Sequence, residues 1–109
     1  MAQVTSLKSV ALSFSSNGDN AAIAGVANRV IQVYKIWFSV AGAVNVTFYD
    51  GLAGTALSGA LNLTGAGSTF FAYYDGVPWW SCSPGNAFNI NLSSGVAVVG
   101  QAYYELLPH

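Results

Sequence analysis

The chain has 109 residues, of which 53% are hydrophobic and only 6% are charged. A globular domain usually carries about 25% charged residues, so we expect part of this surface to be hidden from water. With three basic residues and a net charge of −1, the chain lacks the cations that nucleic-acid binding by phosphate neutralisation requires. The length is that of a single domain.

Membrane insertion as a helix is excluded by the distribution of apolar residues. The longest apolar run, around Ile36 to Val46, contains polar and small residues and is shorter than the about 18 residues of a spanning helix. The first ten residues, MAQVTSLKSV, lack the pattern of a secretory signal. The single cysteine, Cys82, cannot form an internal disulfide. We therefore expect a protein made in a reducing cytoplasm.

Alternating apolar and polar residues predict strands in the first half of the chain. Val10–Phe14 alternates with a two-residue period and is followed by a polar turn at 15–20. Residues 29–40 include few polar residues at either odd or even positions, which is typical of a strand covered on both sides. We place this strand at the centre of the fold. The alternation at 44–49 ends at Asp50-Gly51, where glycine supplies the positive φ of a tight turn.

The second half repeats this pattern. It contains a short strand at 61–63, an aromatic strand at 69–74, an alternating strand at 88–92 and a final strand at 96–106. Seven or eight strands separated by turns, with no helical period, predict an all-β protein: a single antiparallel β-sandwich of jelly-roll or other Greek-key type. We divide the chain into an N-terminal arm with the first strand, 1–20, and a β-sandwich domain, 21–109.

Groups that could perform catalysis or bind a metal are scarce. The only histidine is His109 at the C-terminus, so a serine or cysteine nucleophile has no ordered base. Three of the four acidic residues lie in turns beside glycine or asparagine, where aspartate is common, so a glycosidase pair of carboxylates is not indicated. Zinc needs several Cys or His ligands, and the spacing of a calcium loop is absent. We predict no enzymatic activity, no metal and no cofactor.

Aromatic residues around positions 70–80 are the remaining candidates for binding. Adjacent strand residues point to opposite faces, so one of Trp79 and Trp80 can fill the core while the other covers an outer surface. Pro78 and Pro84 bracket this segment, which favours a stiff connection or a short edge strand. Exposed aromatics suit a protein interface or a sugar-stacking platform, and the alternative is that both tryptophans lie inside the fold. The candidate interface residues are Tyr73, Tyr74, Trp79, Trp80, Leu7 and Val10.

Several segments together resemble small virion proteins of tailed phages. These segments are Arg29–Val40, Gly42–Phe48, a glycine-rich hairpin, Pro78-Trp79-Trp80, Gly85–Ser93 and Val96–Tyr104. The chain is similar in particular to capsid decoration, or cement, proteins, and the resemblance covers about residues 21–106, following the strand and turn pattern. Such proteins are compact β-sandwich or jelly-roll domains that assemble as trimers on the head surface.

The resemblance implies a structural protein on the capsid surface of the virion. It would bind the major capsid protein and other copies of itself as a homotrimer, stabilise the shell and need no active site, nucleic acid or membrane. Residues 1–20 would then be an arm that docks onto the shell. Because related domains occur in tail fibres and tail tips, the alternative is a receptor- or glycan-binding module that uses the aromatic residues at 73–80 with Asn86.

Overall fold

The computed structural model describes residues 7–109, which fold into ten strands without a helix. Two of the strands have only two residues each, which leaves eight longer ones. All pairings are antiparallel, so the all-β sandwich expected from the sequence is confirmed. The strands are β1 (Lys8–Phe14), β2 (Gly18–Ile23), β3 (Arg29–Val40), β4 (Val44–Asp50), β5 (Thr55–Ala56), β6 (Leu61–Leu63), β7 (Thr69–Ala72), β8 (Trp80–Ser81), β9 (Phe88–Leu92) and β10 (Val98–Pro108).

The strands form two five-stranded sheets that pack face to face. Sheet I has the order β1-β10-β3-β7, with β8 also paired to β3, and sheet II has the order β2-β9-β4-β5, with β6 also paired to β4. The early strands pair with the late ones in nested order: β1 with β10, β2 with β9, and β3 with β7. Because successive pairs alternate between the sheets, the chain is wound as a jelly roll.

The longest strand, β3, lies between β10 and β7 and so has the central place expected for it. The register between β3 and β10 shifts by one residue at Tyr34, which is a β-bulge. Before the bulge the odd-numbered residues of β3 face the core, and after it the even-numbered residues do. This explains why apolar residues occur at both odd and even positions of the strand. The core-facing residues of β3 are Ile31, Val33, Ile36, Phe38 and Val40.

An aromatic cluster fills the space between the sheets. Phe48 of sheet II is fully buried at its centre, with its ring centroid 4.5 Å from that of Trp80 and 6.2 Å from that of Phe38. Phe70 and Phe88 complete the cluster, at 5.8 and 5.4 Å from Phe48. Aromatic side chains carry large apolar surfaces, so this cluster supplies much of the contact between the two sheets.

The N-terminal segment is paired with the rest of the sandwich from Lys8 onward. β1 pairs with β10 along its whole length, from Lys8 with Tyr104 to Phe14 with Val98. β2 begins at Gly18, inside the polar cluster 15–20 that was expected to be only a turn. Residues 7–20 are therefore part of the sandwich, and what remains of the predicted arm, residues 1–6, lies outside the described residues.

Candidate interaction surface

Aromatic side chains cover the outer face of sheet I and the loop beside it. We call this surface the aromatic face, and its position follows from strand geometry, because residues that alternate with core positions point away from the core. Trp37 lies between the buried residues Ile36 and Phe38 and therefore points outward. The aromatic face consists of Tyr34, Trp37, Phe71, Tyr73, Tyr74, Trp79 and Tyr103.

Pairing between β3 and β7 brings the first of these rings together. Trp37 is the cross-strand partner of Phe71, and their rings lie 6.4 Å apart with 22° between their planes. Tyr73 follows two residues later on the same side, with its ring 5.0 Å from that of Phe71 and again 22° from parallel. The three rings thus form a stacked row across the edge of the sheet.

Two further tyrosines of the aromatic face, Tyr34 on β3 and Tyr74 after β7, pack against each other. The bulge residue Tyr34 is only 5% exposed because Tyr74 covers it, with 5.9 Å between the ring centroids. The Tyr34 hydroxyl donates to Oε1 of Gln32 at 3.3 Å. Burial, and next the negative charge of Glu105, raise the pKa of Tyr34 above its ordinary value. The hydroxyl therefore remains protonated and keeps donating.

The loop that carries Trp79 is held in place by two hydrogen bonds that Trp79 donates to backbone carbonyl oxygens. The Trp79 backbone N–H donates to the carbonyl oxygen of Val33 at 2.8 Å, and its indole Nε1 donates to the carbonyl oxygen of Tyr73 at 2.6 Å. These bonds fix an indole that is still 49% exposed. An exposed aromatic ring held in one orientation loses little conformational entropy when a partner covers it.

Few charges lie near these rings. The Lys35 ammonium group is 5.0 Å from the ring centroid of Tyr103, within the range of a cation–π contact. Glu105 of β10 lies opposite Gln32 in the register with β3. The central strands of this sheet therefore carry one charge of each sign on their outer side.

The outer face of sheet II is polar by contrast. Asn45 lies opposite Asn62, and Thr47 lies opposite Asn91. The Asn91 amide donates to Oδ1 of Asp19 at 2.7 Å, and Oδ2 of the same carboxylate accepts from the backbone N–H of Ala53 at 2.8 Å. An antiparallel sheet with one polar face is typical of a surface in contact with water, so the two outer faces of the molecule differ in chemistry.

The candidate interface residues named from the sequence do not form one surface. Tyr73, Tyr74 and Trp79 lie on the aromatic face, and all three are exposed. Trp80 packs against the core instead, so the two tryptophans point to opposite sides as expected. Val10 also packs against the core on β1, at the opposite edge of sheet I, and Leu7 immediately precedes that strand. Phe71, one of the aromatic residues around 70–80, belongs to the surface as well, and sequence analysis missed Tyr34, Trp37 and Tyr103.

The sequence indicates only a turn at Asp50, whereas in the structure its carboxylate accepts several hydrogen bonds from a distant loop. It accepts from the Ser83 backbone N–H at 2.9 Å, from the Ser83 hydroxyl at 2.8 Å and from the Asn86 amide at 3.0 Å. Partial burial alone would raise the pKa of Asp50, but these hydrogen bonds outweigh it and hold the pKa of the carboxyl below its usual range. Asp50 therefore fastens the end of β4 to the loop that precedes β9.

Cys82 lies next to this network and is buried. Burial, and next the negative charge of Asp50, raise the pKa of the Cys82 thiol to about 12. A thiol that stays protonated is a poor nucleophile and a poor metal ligand. Among residues 7–109 there is no pocket and no group of three or more side chains suited to a metal ion.

Within the same part of the chain, no helix has the length and apolar character needed to cross a membrane. Comparison with protein-family models, with curated proteins and with solved structures found no match to this chain.

Proposed function

We propose that this chain is a structural virion protein, a decoration or cement protein that binds the outer face of a tailed-phage head as a trimer and stabilises the shell. The observation that carries the proposal is the aromatic face, which lies on the outside of a chain with only three basic and four acidic residues. It is supported by the resemblance of the strand and turn pattern to that of small phage virion proteins.

The exposed apolar area is large enough to bind a protein partner. The exposed fractions of Phe71, Tyr73, Tyr74 and Trp79 are 48, 66, 41 and 49%. With about 150–250 Å² for each fully exposed aromatic side chain, these fractions correspond to roughly 300–500 Å². Patches of about 300–600 Å² on a monomer are often functional, and covering this one releases about 25 cal/mol for each Å² removed from water.

The outer side of β3 contributes two residues to the aromatic face, the covered Tyr34 and the partly exposed Trp37. The polar residues Gln32, Lys35 and Ser39 lie on the same side. In the proposed trimer, a neighbouring copy covers the outer side. A closed threefold ring leaves no unmatched copy of the interface exposed, which suits a chain with few charges to keep molecules apart.

A second candidate is a receptor- or glycan-binding module of a tail fibre or tail tip. The nearly parallel rings of Phe71 and Tyr73 and the fixed indole of Trp79 favour it. Aromatic rings held in this way offer an apolar surface on which a sugar ring can stack.

Sedimentation with phage heads tests the proposal and separates it from the alternative. Purified chain is mixed with heads that lack their decoration protein, and the heads are then pelleted. We expect saturable co-sedimentation, and a trimer by light scattering at micromolar concentration. Binding to whole host cells without binding to heads would support the glycan- or receptor-binding alternative and refute the cement function.

A matched pair of variants assigns the contact to one face. Tyr73→Ser removes an exposed ring from the aromatic face, whereas Tyr49→Ser removes a partly buried ring from the outer face of sheet II. We expect the first to weaken self-association and head binding and the second to leave both unchanged. Equal effects of the two substitutions would contradict a contact through the aromatic face.

A further inference from the structure

The strands at the edges of the two sheets differ in how well they are protected. In sheet II the edges are β2, whose register with β9 shifts between Ala21 and Ile23, and the short strands β5 and β6. One edge of sheet I is formed by β7 and β8, of four and two residues. Short or irregular edge strands discourage pairing with other chains. The fourth edge, β1, has seven residues and an unbroken register.

The backbone bonding shows which groups of β1 point away from the sheet. The Ala41 N–H donates to the carbonyl oxygen of Ala97 at 2.9 Å, so these two residues form a hydrogen-bonded pair at the start of the β3–β10 ladder. Hydrogen-bonded and non-bonded pairs alternate along an antiparallel ladder. The odd-numbered residues of β10 up to Tyr103 therefore bond to β3, and the even-numbered ones bond to β1.

It follows that Ser9, Ala11 and Ser13 direct their N–H and carbonyl groups toward the open edge. Their partners on β10 are Tyr103, Gln101 and Val99, whose backbone groups face β3. All three residues of β1 are small and exposed. No backbone group of a described turn or loop bonds to them. The described residues thus leave three donors and three acceptors of a regular strand open to pairing.

We propose that β1 of one copy pairs antiparallel with β1 of a second copy and continues sheet I across a twofold axis. The register places Ala11 opposite Ala11 and Ser9 opposite Ser13, because only this alignment pairs all three open residues of both copies. Each bonded pair exchanges two hydrogen bonds, so the contact contains about six.

Charge and side-chain size favour a second copy as the partner. The only charged residue of β1 is Lys8, and in this register it faces Phe14 of the other copy, so like charges do not meet. Val10 and Phe14 are only partly buried where they pack against the core, and the second strand covers the exposed part of both. Because the contact is the same on both copies, it closes after two and does not grow into a fibre.

This pairing does not depend on the proposed function. The aromatic face is centred on β3 and β7, whereas β1 lies at the other edge of the same sheet. Both contacts can therefore form in one assembly, or either one alone. Head binding tests the cement function, and the variants below test the strand pairing.

Ala11→Pro is the principal test, since it removes an outward N–H without removing a bond to β10, and proline is tolerated on the open side of an edge strand. Ala11→Ser keeps the N–H and is the matched control. Both are measured by sedimentation velocity over a concentration series, in a chain that also carries Tyr73→Ser and Trp79→Ser to suppress contacts through the aromatic face. We expect dimers in the Ala11→Ser chain and at least tenfold weaker dimerisation in the Ala11→Pro chain, with similar melting temperatures at dilutions where both chains are monomers, because dimerisation itself raises the melting temperature. Equal dimerisation, or monomers at millimolar concentration in both chains, would overturn the proposal.

A cross-linking variant tests the register and can trap a weak contact, because covalent dimers accumulate even when few chains are paired at any moment. In a Cys82→Ser chain, Ala11→Cys places two thiols opposite each other, where the Cα separation of a bonded pair, about 5.5 Å, allows a disulfide. We expect mild oxidation to give covalent dimers much faster than with Ala43→Cys, an exposed position away from β1. Equal rates would overturn the register. Dimers that form only after deletion of residues 1–6 would overturn pairing of β1 in the full chain, because that segment would then occupy the edge.

Discussion

Gly100 of β10 lies directly opposite Phe38 of β3, so close that a Cβ at position 100 would be 2.6 Å from the Cα of Phe38. The same Cβ would also press against the carbonyl oxygen of Trp37. Both neighbours are backbone atoms, which cannot rotate away as a side chain can. Glycine at this position therefore allows the two longest strands to approach each other at the centre of sheet I.

Gly100→Ala should destabilise the protein by about 1–3 kcal/mol, the range for an overpacked site in which the backbone must shift. Urea unfolding followed by circular dichroism measures this change. Gly59→Ala is the control, because its Cβ would meet nothing within 4 Å, and a surface change of this kind stays within about 0.5 kcal/mol. Similar unfolding midpoints for the two variants would contradict a close approach at Gly100.

Phe48→Ala should be among the most destabilising substitutions in the core. The fully buried ring contacts aromatic residues of both sheets, and its removal leaves a cavity that costs about 3–5 kcal/mol. Phe71→Ala removes a ring of the same size from the half-exposed aromatic face, so a clearly smaller loss is expected from it. Chemical unfolding of both variants as isolated subunits provides the comparison.

Asp50→Asn should lower stability at neutral pH by about 1–2 kcal/mol, because one of the two oxygens that accept from Ser83 and Asn86 becomes an NH2 donor and the other loses its charge. The pKa of Asp50 is lowered in the folded protein, so the charged carboxylate stabilises the fold above its unfolded pKa of about 3.9. This contribution is lost as the pH falls through the lower, folded pKa. Thermal melts between pH 7 and pH 2 should show the two proteins converging in acid, and a constant difference would contradict this role.

Cys82 should resist thiol reagents in the folded protein. Its pKa of about 12 leaves almost no thiolate at pH 8, and the side chain is buried. We expect reaction with a chromogenic disulfide reagent to be at least a hundredfold slower in buffer than in denaturant. Reaction at the unfolded rate would show that the segment around residue 82 opens readily.

Much of the strand framework could be predicted from the sequence because alternation and turn residues are local signals. Residues 29–40, 61–63 and 88–92 are strands as predicted, and Gly51 has the positive φ expected of its turn. β2 was missed because Gly18, Asp19 and Asn20 are turn formers. They become strand residues through pairing with β9, which is distant in the sequence.

The aromatic face was predicted only in part, for a similar reason. Tyr73, Tyr74 and Trp79 are close together in the sequence, so their clustering was visible. Trp37 and Tyr103 join them only through the pairing of β3 with its two neighbours. The bulge at Tyr34 shifts the register between β3 and β10, and no residue type at this position indicates a bulge.

The nested pairing of the jelly roll also determines when the molecule can fold. β10 lies between β1 and β3, so until β10 is available β1 has no partner in sheet I and β3 has only the short strands β7 and β8. Folding that depends on such distant contacts is slow. During synthesis, the apolar side chains of β3 leave the ribosome long before β10 can cover them. A nascent chain of this kind is exposed to aggregation, and we expect its yield in cells to depend on chaperones that hold β3 until β10 has been synthesised.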